Sequence, residues 1–142
     1  LPNILKENNP MVFNKVYDED KRLYRFQCNM YIGGKEGNRV YYGKPVIYDG
    51  DEQHYMYPND ARLRNMTYAI TIHYDVDLEY RIMEDDSEKF VESTETIEHV
   101  FLGRFPIMLQ SELCILNTLN KDVRFNMGEC RNDYGGYFII DG

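Results

Sequence analysis

The sequence has no tryptophan, only three histidines, only three cysteines and no excess of positive charge. Each shortage closes off a class of protein. Cys28, Cys114 and Cys130 are odd in number and far apart, so they do not form the evenly counted, tightly spaced framework of a small disulfide-stapled secreted domain. Reduced thiols in an intracellular protein are the simpler expectation. His54, His73 and His99 lack the short ligand spacing of a zinc site, and no pair of cysteines lies near enough to complete one. No apolar run approaches the roughly 20 residues that span a bilayer, and no basic stretch followed by an apolar one marks a signal peptide. The net charge of −8 argues against a free-standing nucleic-acid binder, because phosphate contacts need clustered Lys and Arg.

The charge is unevenly distributed. Residues 84–98 hold Glu84, Asp85, Asp86, Glu88, Glu92, Glu95 and Glu98 against the single base Lys89, so this segment carries −6 of the −8. It reads as a mobile, solvated loop between two strands, since such a composition has little to bury. Elsewhere, hydrophobic residues make up 43% of the chain, enough for a core. The 13 Tyr and 7 Phe favour pleated, half-buried surfaces and tilt the reading towards sheet. The chain begins at Leu1 and stops at Gly142 straight after Tyr137-Phe138-Ile139-Ile140, an ending expected of a piece of something longer.

Residues 1–10 place helix-forming residues between two prolines and read as a short helix or the tail of one. From Leu23 to Ile32 the even positions Tyr24, Phe26, Cys28, Met30 and Ile32 are apolar while Arg25, Gln27 and Asn29 are polar, the period of a half-buried strand. Residues 33–38, with Gly33, Gly34 and Gly37, predict a hairpin turn, and Arg39–Tyr48 its returning strand. Residues 49–52 are a second turn signal. After Pro58, residues 59–64 suit one or two helical turns, with Asn59 as the cap. The clearest period follows: Tyr68, Ile70, Ile72, Tyr74, Val76, Leu78, Tyr80 and Ile82 alternate with mostly polar residues. At about 3.3 Å per residue this strand extends roughly 50 Å, far beyond the ordinary length, and it predicts an antiparallel sheet with one wet face. His99–Leu109 resumes as strand, bent or at an edge at Pro106. Ser111 onward and Asn120–Met127 read as helical, with Gly128 at the second end, and Gly135-Gly136 turn into a last strand. The fold class is α+β: mostly antiparallel sheet with long strands and a few short helices.

Tests for chemistry return no catalytic residue and no metal site. The acids of 84–98 match no calcium-loop pattern. Neither Gly33-Gly34 nor Gly135-Gly136 is followed by the Gly-Lys-Ser/Thr of a nucleotide loop, and positive φ at turns accounts for them. Cys114 and Cys130 read as buried structural thiols rather than nucleophiles. Arg62, Arg64 and Arg104 are the candidates for contact with nucleic acid or another subunit. Arg62 and Arg64 flank Leu63, an arrangement that can turn one apolar anchor inward and two guanidiniums outward. The competing reading is a structural ion pair to acids such as Asp60, and the two stand level.

Three stretches resemble one family. Tyr57-Pro58-Asn59-Asp60-Ala61-Arg62-Leu63-Arg64-Asn65-Met66-Thr67-Tyr68 resembles the YPxxARLRNLTY segment of the second-largest subunits of eukaryotic-type multisubunit DNA-dependent RNA polymerases. Gly103-Arg104-Phe105-Pro106-Ile107-Met108-Leu109 resembles their GRxPIML strand, and Glu129-Cys130 with Asp133-Tyr134-Gly135-Gly136-Tyr137-Phe138-Ile139-Ile140 resembles their ECPxDxGGYFIING. Order and spacing agree from about residue 40 to the end. The resemblance implies that residues 1–142 are part of the protrusion domain near the subunit's N-terminus, an incomplete domain with its acidic loop at about 84–98. It implies a non-catalytic part of DNA-directed RNA polymerase that forms one wall of the nucleic-acid cleft and packs against other subunits. It further implies no cofactor in this part, the Mg2+ of nucleotidyl transfer being bound elsewhere in the enzyme. Partners are then the other polymerase subunits and, in the assembled enzyme, DNA and RNA. The location is intracellular: the nucleus, or a virion or cytoplasmic factory for a viral polymerase.

The sequence departs from the family where Gln110-Ser111-Glu112 replaces the usual Arg-Ser-Lys and where Arg131-Asn132 replaces Pro-Phe. The first removes two positive charges from any phosphate contact there. Such drift suits a large DNA virus or another divergent lineage. A second reading is a stand-alone acidic β-rich protein-interaction module. In isolation, self-association through exposed strand edges is a further expectation.

Overall fold

A computed structural model describes residues 9–20, 22–83 and 89–142. The elements run β1 (Met11–Asp18), β2 (Leu23–Ile32), β3 (Val40–Gly43), β4 (Val46–Asp49), β5 (Glu52–Tyr55), α1 (Pro58–Leu63), β6 (Ala69–Met83), β7 (Phe90–Pro106), a 3-10 turn (Ile115–Thr118) and α2 (Lys121–Asn126). The expected α+β class with dominant antiparallel sheet is what the chain adopts. It divides into two compact units, one of residues 1–41 and 73–101, the other of 42–72 and 102–142.

In the first unit β1, β2 and β6 pair in that order, antiparallel, with β7 also paired to β6. The register sets Phe26 opposite Ile82, Cys28 opposite Tyr80 and Met30 opposite Leu78, so the two alternating patterns share one face. Cys28, Val76 and Leu78 are its buried centre, with Phe26, Met30, Tyr74, Tyr80 and Val100 packed around them.

The predicted hairpin between residues 23–32 and 39–48 does not form. Instead Gly33 and Arg39 close the neck of a small excursion: the Arg39 N–H donates to the Gly33 carbonyl at 2.9 Å. Both also bond the backbone of Asp75, at 2.7 and 3.0 Å. The excursion begins with Gly33 and Gly34 at φ of 84° and 83°, a conformation that L-residues with a Cβ avoid. The turn residues are thus real turn residues, but β2 keeps β6 as its partner because the register above buries both apolar faces.

Asp75 is the second surprise. The alternation of β6 put it on a wet face, yet it is 3% exposed. Its carboxylate accepts hydrogen bonds from the His99 N–H at 3.0 Å, Tyr41 Oη at 2.8 Å and Arg39 at 3.5 Å. The His99 bond comes first among the interactions that hold its pKa below the usual aspartate range, and with Tyr41 and Arg39 it outweighs burial. Asp77 is lowered too: burial pushes upward, but bonds from Arg39, Thr96 and the Lys35 N–H win. Polar residues here are folded into the unit instead of facing water.

The acidic loop also needs correction. Residues 84–88 lie outside the described residues, but from Phe90 the chain is strand β7, so Glu92, Glu95 and Glu98 stand on a strand with exposed side chains. Strand β1 escaped notice because Met11, Val12, Phe13, Val16 and Tyr17 follow no period of two. The expected N-terminal helix falls on residues 1–8, outside the described residues, and on Asn9 and Pro10, which have no regular structure.

The second unit holds the larger core: Ile47, Met56, Ala61, Tyr68, Ile70, Ile107, Leu109, Cys114, Leu116 and Ile139. Here β4 and β5 form a hairpin closed at residues 50–51. The residues after Gly136 do not form a ladder strand, as the apolar run suggested. They lie extended and join two other segments: the Tyr68 N–H donates to the Ile139 carbonyl at 3.0 Å, and the Leu109 N–H to the Tyr137 carbonyl at 2.8 Å. The Ile107 N–H donates to the Tyr68 carbonyl at 3.1 Å. Helix α2 starts where expected, with the Asn120 side chain accepting from the Val123 N–H at 2.9 Å.

A candidate contact site built from three arginines

Helix α1 decides where two of the arginines point. Tyr57 is its N-cap, Pro58 occupies the first turn, and the Asp60 carboxylate accepts the Tyr57 N–H at 3.0 Å. Asn59, the expected cap, lies inside the helix. At the other end Asn65 takes φ of 52° and the Met66 N–H reaches back to the Ala61 carbonyl at 2.8 Å, a Schellman-type closure. With 3.6 residues per turn, Pro58, Ala61 and Arg62 share a face. Pro58 and Ala61 are buried there, while Leu63 points away and is 75% exposed. The expected arrangement, Leu63 inward and both arginines outward, is therefore overturned.

Arg62 turns inward. Its guanidinium donates to both oxygens of the buried Glu129, at 2.9 and 3.0 Å, and to Tyr137 Oη at 2.6 Å, with Asp133 3.9 Å away. The two-pronged fit suits a planar guanidinium and a carboxylate. Tyr137 in turn donates to Asp133, which also accepts the Gly135 N–H at 2.8 Å. Burial pushes the Asp133 carboxyl upward, yet the Tyr137 and Gly135 bonds and nearby Arg62 bring its pKa below the ordinary range. Burial, followed by the bond to Asp133, raises the Tyr137 hydroxyl. The structural ion pair weighed from the sequence exists, but its acid is Glu129, 67 residues away, rather than Asp60. Separation of that size is invisible to a local reading.

Arg64 stays outside, paired with Asp49 at 3.0 Å across two half-exposed side chains. A pair so exposed can exchange its partner at little cost. Arg104, on β7, has no acidic partner among the described residues. It lines an open cavity of about 570 Å3 together with Lys44, Asn65, Thr67, Thr71 and Asp141. The structure thus separates the three: Arg62 is held by the core, Arg64 is exchangeable, and Arg104 has no acidic partner among the described residues.

The remaining titratable residues form no reactive constellation among those described. No group of three or more His, Cys, Asp or Glu able to hold a metal occurs among the described residues. Cys28 and Cys114 are buried, and Cys130, expected to be buried, is exposed. Burial raises the pKa of the Cys28 thiol. None of the described helices is long and apolar enough to cross a membrane.

The three segments bonded through Tyr68, Leu109 and Ile139 are the three stretches that carried the family resemblance. The sequence model of the RNA polymerase beta subunit family matches residues 13–142, and the chain belongs to that family. Among its relatives, the DNA-directed RNA polymerase II subunit RPB2 of Eremothecium gossypii is 37% identical over 118 residues, covering 73% of this chain and 9% of the relative. The RPB2 of Schizosaccharomyces pombe is 34% identical over 145 residues, covering 90% of this chain and 12% of the relative. The DNA-directed RNA polymerase subunit Rpo2N of Methanothermobacter thermautotrophicus strain Winter is 36% identical over 107 residues, 75% of this chain and 19% of the relative. The chain therefore spans well under a quarter of the length of each of these relatives.

Proposed function

We propose that the chain is a non-catalytic part of DNA-directed RNA polymerase: the protrusion of its second-largest subunit, forming one wall of the nucleic-acid cleft and a packing surface for other subunits. The observation that carries this reading is the mutual bonding of its three family-like motifs. The Tyr68, Ile107–Leu109 and Tyr137–Ile139 backbones bond one another, and Arg62 of the first motif grips Glu129 of the third. What resembles the family is the scaffold that holds this unit together. In the complete enzyme the chain contributes to nucleotidyl transfer as structure, with Mg2+ held elsewhere. Such a subunit works in the nucleus, or in a virion or cytoplasmic factory for a viral polymerase.

Arg104 and then Arg64 are the arginines available to meet a phosphate or a neighbouring subunit, while Arg62 serves chiefly the fold. The test is to tag the gene product in its source and purify it under native conditions. Co-purification of the other polymerase subunits is the expected result; a product recovered alone would sink the assignment. For the nucleic-acid part, Ala at Arg64 in the assembled enzyme lowers the slope of DNA affinity against salt by roughly one contact. An unchanged slope leaves Arg64 to protein contact.

A further inference from the structure

We propose that the cavity lined by Lys44 and Arg104 is a docking site for a carboxylate presented by a partner protein, held on a short segment with an apolar residue beside it. This deepens, and rests on, the reading of Arg104 as a contact residue. Four of the seven Lys and Arg of the second unit have polar partners within it. Arg62 is bound by Glu129, Arg64 by Asp49 and Arg131 by Asp122, while Arg124 donates to the Gln110 side chain and the Leu116 carbonyl. Lys121 and Lys44 have no acidic partner among the described residues, each lying over a tyrosine ring, and Arg104 has none. Two of these three unneutralised cations, Lys44 and Arg104, line the same cavity.

The walls fit the same occupant. Val46, Ile47, Met56 and Met66 line the cavity beside the donors Asn65 and Thr71, so an aliphatic stem and an anionic tip are both accommodated. A volume of about 570 Å3 falls within the range, roughly 300–1,000 Å3, of pockets that enclose a ligand. Asp141 is the one acid on the wall among the described residues; its carboxylate accepts from the Thr67 hydroxyl at 3.5 Å, and that hydroxyl accepts the Asp141 N–H at 3.1 Å. Charge decides between a carboxylate and a nucleic-acid backbone. A long polyanion meets the field of the whole chain, which is −8, and gains only two phosphate partners here. A single carboxylate inside the cavity is governed by charges within about 8–10 Å, the screening length at ordinary salt.

The experiment titrates the complete 142-residue chain with acetyl-Ala-Leu-Glu-Leu-Ala-amide, its Gln counterpart and a fluorescent DNA duplex, reading affinity by calorimetry and anisotropy. The acidic peptide is expected to bind with Kd on the order of 100 μM, and the Gln peptide roughly tenfold more weakly. Lys44→Gln and Arg104→Gln each weaken the acidic peptide about five- to tenfold, Arg104→Lys by less, and Arg131→Gln, away from the cavity, leaves it unchanged. Equal binding of the two peptides, or no binding at millimolar concentration, overturns the proposal. So does duplex DNA that binds more tightly and loses affinity through the same two substitutions, because the cavity would then be a phosphate site. If the peptide fails while polymerase subunits still co-purify with the gene product, only the cavity's assignment falls.

Discussion

The two units of this chain solve the same problem in opposite ways. The second unit stitches three distant segments around a core in which Tyr68, Leu109 and Leu116 are almost wholly enclosed. The first is a sheet with three buried apolar residues at its centre, organised from the other face by the carboxylates of Asp75 and Asp77. One is held chiefly by volume and the other more by directed polar bonds. The difference shows how divergence can be tolerated. A packed core restricts the residues that fill it, whereas a sheet needs only its alternation and a few well-placed acids.

The sharpest way to break that contrast is to make the same cut in both units. Leu116→Ala removes a side chain that is 0% exposed, and Leu78→Ala one that is 6% exposed beside much more accessible neighbours. We expect about 3–4 kcal/mol of destabilisation for Leu116→Ala and about 2 kcal/mol for Leu78→Ala, since a site that can collapse or admit water loses less. Urea denaturation followed by tyrosine fluorescence measures both. Equal losses would mean that the first unit is as tightly packed as the second.

The arginines of α1 give the next largest effect. Arg62→Ala leaves the Glu129 carboxylate buried without its two-pronged partner, which costs about 2–3 kcal/mol after allowance for the part of Arg62 that water reaches. Arg64→Ala removes only a surface pair with Asp49, and no change in the denaturation midpoint is expected. A loss at Arg64 matching that at Arg62 would put both residues in the core's service.

Which of these features the sequence revealed follows a physical rule. The alternations of β2 and β6 were legible because burial on one face of a sheet repeats every second residue. The tight turns were legible because positive φ selects glycine. The partner of β2 was not, since a turn signal shows that the chain bends but not whether the next segment returns. Asp75 looked solvated because its partners Arg39, Tyr41 and His99 are 36, 34 and 24 residues away. Of the candidate site, Arg64 lies outward as its place beside Leu63 suggested, Arg62 does not, and Lys44 could not be read because its neighbours in sequence say nothing about the cavity it lines.

A shift in pH sharpens the comparison further. The folded pKa values of Asp75 and Asp77 are depressed, so each contributes stability that is fully present above the ordinary aspartate value near 4 and is lost as pH falls through the folded value. Asp133 does the same in the second unit. Denaturation midpoints measured from pH 6 down to pH 3 should therefore stay level and then fall below about pH 4. Asp75→Asn should cost about 1–2 kcal/mol at pH 6, where its charge-assisted bonds are lost, and should flatten the acid slope. An unchanged slope would remove Asp75 from its organising role.

The smallest expected effect compares two glycine turns. A methyl group at Gly135 would sit 2.6 Å from the Leu109 carbonyl oxygen, a backbone atom fixed by the bond it accepts from the Gly136 N–H at 3.0 Å. At Gly34 the same methyl would meet the Arg39 guanidinium, the far end of a flexible side chain. Both positions carry positive φ, 72° and 83°, so each Ala variant bears the backbone cost of about 1 kcal/mol. Gly135→Ala adds a clash that the backbone must move to relieve, whereas Gly34→Ala asks only the flexible Arg39 side chain to shift its grip on Asp75 and Asp77. We expect Gly135→Ala to exceed Gly34→Ala by roughly 1 kcal/mol in the same denaturation assay. Should Gly34→Ala prove the costlier, the grip of Arg39 on Asp75 and Asp77 would be rigid, and the first unit would depend on fixed geometry as strictly as the core of the second.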